Sequence, residues 1–95
     1  MIFAIEAVDF DTNGVLQRVR WHSLEYADGI VNGPSEVVPV EQAVRRADGH
    51  TVHVCFEGAA GSTVLVGDVG GRATFVDSPE VPPGQQLAVL PRIDA

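Results

Sequence analysis

Apolar and polar positions alternate along the N-terminal part of the chain in the pattern of a β-hairpin. Residues 2–8 are mostly apolar, and apolar and polar residues alternate over 15–22. The dipeptide Asn13-Gly14 lies between these segments and favours the tight turn of a hairpin. We therefore predict two antiparallel strands between Ile2 and about Trp21. In the second strand Val15, Val19 and Trp21 are expected to face the core, and Leu16, Arg18, Arg20 and His22 the solvent.

A helical spacing follows farther along the chain. Four small apolar residues recur at i, i+3, i+4 and i+7, which places them on one face of a helix: Val40, Ala43, Val44 and Ala47. Pro39 suits the first helical position, and Gly49 suits the residue beyond the last. A helix this short is not stable alone in water, so its apolar face is expected to dock on the sheet.

The remaining segments predict strands joined by turns. Residues 23–35 are expected to form a loop, and the glycine-rich segments 58–61 and 67–71 to form turns. The expected later strands are 51–57, 62–66, 72–77 and 87–93, with Pro91 indicating an edge. The order ββαβββ contains too little helix to cover a parallel sheet. We therefore expect an α+β fold in one domain spanning residues 1–95, with a mostly antiparallel curled sheet or partial barrel of five to six strands and one short helix.

The charge balance narrows the classes of partner. Thirteen acidic residues face six arginines, no lysine is present, and the formal net charge is −7. Such a chain lacks the basic stripe that nucleic acids and anionic membranes require. The N-terminal segment does not predict a signal peptide, and no apolar stretch approaches the ~20 residues of a membrane span. The single cysteine, Cys55, is consistent with a reducing compartment, so we expect a cytoplasmic location.

One set of positions spans the hairpin, the helix and the C-terminal segment: Ile5, Val8, Gly14, Val19, Trp21, Val38, Glu41, Ala43, Val44 and Leu90-Pro91. In these positions the chain resembles a group of small uncharacterised bacterial domains. The resemblance covers about the first half of the sequence, and the Leu-Pro near the C-terminus is also shared. It implies a β-hairpin followed by one helix and further strands, and it assigns no site.

Residues 9–14 form the pattern D-x-D-x-N-G, the opening half of a calcium-binding loop. Side-chain oxygens at alternate positions can supply several of the six to eight ligands that calcium takes. The weak metal candidates are therefore Asp9, Asp11 and Asn13. The twelfth position of such a loop should be a bidentate glutamate and is Arg20, which opposes calcium. The alternative is that the three residues only form the hairpin turn.

His50, His53 and Cys55 lie within six residues, and His22 lies on another strand. A structural zinc site needs four ligands, and one cysteine excludes the common multi-thiolate patterns. A thiolate–imidazole pair needs hydrogen-bond contact, which neighbours on one strand achieve poorly. The alternatives are that Cys55 is a small core residue and that the histidines lie at the surface. The two glycine-rich segments precede no helix and are not expected to bind phosphate.

Aromatic and arginine side chains near the end of the hairpin suggest a protein-contact patch, because these residue types are enriched at binding hot spots. The patch consists of Arg18, Arg20, Trp21, His22 and Tyr26. The alternative is that Trp21 belongs to the core.

With no catalytic residue and no cofactor site assigned, we expect a non-enzymatic protein-interaction or accessory module. It would bind a protein partner or a second copy of itself, and neither nucleic acid nor membrane. The alternative is a weak metal- or small-ligand-binding protein or a small enzyme, which would use Asp9, Asp11 and Asn13 or Cys55 with a histidine.

Overall fold

The structure, a computed structural model, describes residues 2–24, 35–56 and 59–93. In these residues six strands and one α-helix follow the order βββαβββ, and a single 3₁₀ turn at Leu87–Val89 comes after the last strand. The elements are β1 Ile2–Phe10, β2 Leu16–Leu24, β3 Glu36–Pro39, α1 Val40–Arg46, β4 Thr51–Phe56, β5 Ala59–Val69 and β6 Arg72–Asp77.

The six strands form one mixed sheet with the order β3-β2-β1-β4-β5-β6. Four of the five neighbouring pairs are antiparallel, and β1 lies parallel to β4, with Ile2–Ile5 alongside Thr51–Val54. Within the described residues β3 and β6 do not pair with each other, so the sheet is open. The α+β class with a mostly antiparallel sheet is confirmed at this level.

The observed elements differ from those predicted, written as ββαβββ, in two places. An additional short strand, β3, pairs with β2 before the helix begins. Residues 87–93, predicted to be a strand, form the 3₁₀ turn and one parallel bridge between Val8 and Arg92. There the Val8 N–H donates to the Pro91 carbonyl at 2.9 Å, and the Ile93 N–H donates to the Val8 carbonyl at 3.0 Å. This segment satisfies the backbone of β1 beyond the point where its pairing with β4 ends.

The predicted hairpin is confirmed, but two irregularities change which residues it buries. Glu6 is an extra residue on β1, because Ile5 pairs with Trp21 whereas Ala7 pairs with Arg20. A second shift places an extra residue on β2 near Leu16. The alternation is thereby displaced, and Leu16 is buried whereas Val15 is only half-buried. The expectation that Leu16 faces solvent was wrong for this reason.

The helix lies where the spacing predicts it. Pro39 stands at the N-cap position, one residue before the first helical position predicted for it, and Gly49 adopts a φ of 76° three residues after Arg46, the last helical residue. The apolar side chains of Val40 and Ala43, and of Ala47 just after the helix, pack in the core. Within the described part of the chain, no helix is long and apolar enough to cross a membrane.

The core is centred on Trp21, which is 1% exposed. Its ring stacks on Phe3 with centroids 4.2 Å apart and an interplanar angle of 19°, and Phe75 lies 6.3 Å away. These rings come from β2, β1 and β6, and β6 is the last strand in the sheet order. The sheet must therefore curl strongly enough to bring β6 over the face of β2.

We expect the cost of removing an apolar side chain to follow this core. Val19→Ala, at a residue with 0% exposure, should lower the free energy of unfolding by about 2 kcal/mol. The same change at Val66, which is 58% exposed, should cost less than about 0.5 kcal/mol. Urea denaturation followed by the fluorescence of the single tryptophan measures both values. Equal losses in the two variants would contradict the assigned core.

Candidate functional site

A groove runs along β6, between this strand and the first residues of β2. Two adjoining cavities of about 210 and 360 Å³ form it, and both are lined by Val15, Leu16, Val69 and Thr74. We call it the β6 groove, and its strand side continues to Asp77.

The hairpin of β5 and β6 positions one wall of the groove. Gly70 and Gly71 have φ values of 61° and 83°, the positive angles that a type I′ turn requires at both central residues. This turn fixes the register in which Val69 pairs with Arg72 and Val64 pairs with Asp77. The hairpin therefore presents β6 as the outer strand along its whole length.

The alternation of an antiparallel ladder determines which backbone groups face the groove. The residues that flank a two-residue turn exchange hydrogen bonds, so Arg72, Thr74 and Val76 bond to β5. The N–H and C=O groups of Ala73, Phe75 and Asp77 then point away from β5. No backbone bond to these groups occurs among the described residues outside the β5 ladder. The groove is thus bordered by an unpaired strand edge.

Charged side chains stand at both ends of the groove. At one end the Arg72 Nε lies 3.7 Å from the Glu41 carboxylate. At the other end the Asp77 Oδ1 accepts the Leu87 N–H at 2.8 Å, which fixes the 3₁₀ turn against the groove. Arg72 is the single cation among the described residues that line the groove.

The calcium candidates lie in and beside the hairpin turn, where other groups engage the carboxylates of Asp9 and Asp11. The Asp11 Oδ1 accepts the Asn13 N–H at 2.8 Å and the Val15 N–H at 2.9 Å. The Asp9 carboxylate accepts the Arg18 Nε–H at 2.9 Å. Within the described ranges no three His, Cys, Asp or Glu side chains are grouped to hold a metal ion. The geometry therefore supports the turn-forming role and gives no specific support to calcium.

The histidines each have a separate neighbour. The His22 Nε2 lies 2.8 Å from the Glu6 Oε2, and the His53 Nδ1 lies 2.8 Å from the Gly61 carbonyl. His50 contacts the Phe3 ring edge-on at 6.0 Å between centroids. Unlike the surface position expected for it, His22 is buried, and its ring contacts the Glu6 carboxylate across the two strands.

Cys55 packs as a small apolar side chain. It is 4% exposed and clusters with Ala4, Ile2 and Ala60 on the sheet face opposite the main core. Its strand neighbour His53 bonds instead to the Gly61 carbonyl. The structure supports the packing role that the sequence left open for this residue.

The proposed contact patch is divided between the two faces of the sheet. Arg18, Arg20 and His22 alternate with Trp21 along β2, and Trp21 points into the core. The Trp21 Nε1–H is 3.5 Å from the Glu36 Oε1, at the margin of hydrogen bonding. Trp21 is therefore not part of an exposed surface, and Tyr26 lies outside the described residues.

Sequence reasoning did not find the β6 groove, because its two walls come from residues far apart in the chain. The local signal that was available is Gly70-Gly71, which marks a tight turn. Such a turn determines which backbone groups of the following strand bond to its partner and which face away from it. Comparisons with protein families, with curated proteins and with solved structures find no match for this chain.

We expect the Asp11 carboxylate to stabilise the hairpin turn. Asp11→Ala removes the acceptor of two turn amides and should lower the free energy of unfolding by about 1 kcal/mol. Asp11→Asn keeps a side-chain acceptor and should lose less than the alanine variant. Chemical denaturation of the three proteins compares them, and an alanine variant as stable as the parent would show that the turn does not depend on this side chain.

Proposed function

We propose that the protein is a non-enzymatic interaction module that binds another protein through the β5–β6 hairpin. The observation that carries this proposal is the exposure of large apolar side chains on that hairpin. Leu65, Val66 and Val69 are 47%, 58% and 48% exposed. Leu65 and Val69 lie on one face of the hairpin and Val66 on the other, and exposed apolar side chains beside a strand edge are typical of protein-contact surfaces.

The charge of the chain supports a partner with basic character. The net charge of −7 favours encounter with a positively charged protein and disfavours contact with phosphate backbones or anionic lipid. A second copy of the chain carries the same charge, so self-association has to overcome this repulsion. The cytoplasm stays the proposed location, on the basis of the single cysteine.

The alternative function, metal or small-ligand binding or a small enzyme, stays a prediction. Asp9 and Asp11 are engaged in an ion pair and a turn, and Cys55 packs with apolar neighbours. No specific contact in the described structure favours that alternative. The resemblance to small bacterial domains likewise stays a prediction.

The proposal predicts that partner capture depends on the hairpin. The double variant Leu65→Ser, Val66→Ser changes two exposed side chains, so the fold should be kept. Quantitative mass spectrometry should show a protein retained by the tagged parent and depleted about tenfold or more with this variant.

Val37→Ser is the matched control, because Val37 is also exposed, at 42%, but lies on β3 at the other edge of the sheet. It should retain the partner at the level of the parent. A partner lost equally from both variants, or no partner that depends on the hairpin, would contradict the proposal. Light scattering on the purified protein detects self-association by the same surface.

A further inference from the structure

The two edge strands of the sheet, β3 and β6, differ in the features that protect an edge from further pairing. The β3 edge is only four residues long, ends at Pro39, and carries Glu36, which is ion-paired with Arg46. Short length, proline and charge are the features that protect an edge strand from further pairing. The β6 edge contains no proline and no bulge over Arg72–Asp77. It therefore lacks these protections, and among the described strands it pairs with β5 alone.

The β6 edge also lies in a groove of suitable chemistry. The backbone groups of Ala73, Phe75 and Asp77 face the groove. Its opposite wall is formed by Val15 and Leu16 and, at the Arg72 end, by the start of α1. An extended peptide needs both features, since backbone bonds give affinity and pockets for alternate side chains give specificity. A compact ligand would leave these successive donors and acceptors unused.

We infer that the β6 groove binds an extended segment of a partner protein, which adds to the sheet as a seventh strand beside β6 and carries a basic residue near Asp77. This inference rests on the proposed interaction function and names its binding mode. Alternate side chains of the segment are apolar and face Val15 and Leu16.

The basic residue follows from the charges around the groove. Arg72 lies beside Glu41, which offsets its charge, whereas Asp77 at the other end has no cation beside it among the described lining residues. A lysine or arginine of the segment is complementary to this end of the groove.

The test starts from a random library of displayed peptides of roughly ten residues, long enough to cover a typical strand. Selection on the intact, C-terminally tagged protein should enrich peptides with alternating apolar residues and a lysine or arginine. Enrichment of no sequence, or of sequences without the alternation, would overturn the inference.

The selected peptide is then measured against three variants. Ala73→Pro removes one groove-facing N–H at an edge position that proline tolerates, and should weaken binding about tenfold. Ala73→Ser keeps the N–H and should bind like the parent. Asp77→Asn keeps an acceptor for the Leu87 N–H but loses the charge, and should weaken binding of basic peptides roughly two- to fivefold.

If Ala73→Pro does not fold, amide hydrogen exchange measured on the parent protein tests the inference in its place. Peptide binding to the parent should slow exchange at Ala73, Phe75 and Asp77, while Thr74 and Val76 change little because β5 already pairs with them. Slowing at other strands only would contradict strand addition.

The two proposals fail in different ways. Partner capture that depends on Leu65 and Val66 without slowed exchange at β6 would keep the interaction function and reject the strand-addition mode. A dimer of the purified protein that Ala73→Pro dissociates would replace the basic partner by a second copy and overturn the inference as stated.

Discussion

The packing of Trp21 between Phe3 and Phe75 is the interaction on which the rest of the structure depends. Because the indole comes from β2 and Phe75 from β6, this contact spans the sheet from its second strand to its last. It offsets the tendency of a six-stranded sheet with one short helix to leave part of its apolar face uncovered. The curl that the contact requires brings β6 close to the start of β2 and creates the groove between them.

The position of β1 explains why the sheet is mixed. β1 is paired with β2 on one side and with β4 on the other, but β4 reaches only the first residues of β1. The C-terminal segment completes the remaining edge through the backbone of Val8. Other chain segments therefore pair with the central strand along both of its edges, whereas β6 pairs with β5 alone among the described strands and is otherwise packed against α1 and Trp21. This difference leaves one edge of the sheet available for binding.

The elements that could be predicted from the sequence are those with local signals. Asn13-Gly14 indicated the first hairpin, and Pro39 and Gly49 bounded the helix, because turn and cap chemistry act over a few residues. The parallel pairing of β1 with β4 has no local signal, since the two strands are about fifty residues apart in the sequence. The shift that buries Leu16 depends on the partner strand and is equally invisible in the pattern. The candidate site was missed for the same reason, because Val15 and Phe75 meet only through the curl.

Amide hydrogen exchange of the free protein, resolved by NMR, tests most directly whether the β6 edge is open. The account predicts an alternation along the strand, with slow exchange at Thr74 and Val76 and faster exchange at Ala73 and Phe75. Uniformly slow exchange along β6 would show that another part of the chain covers the edge, and the groove could not then accept a strand.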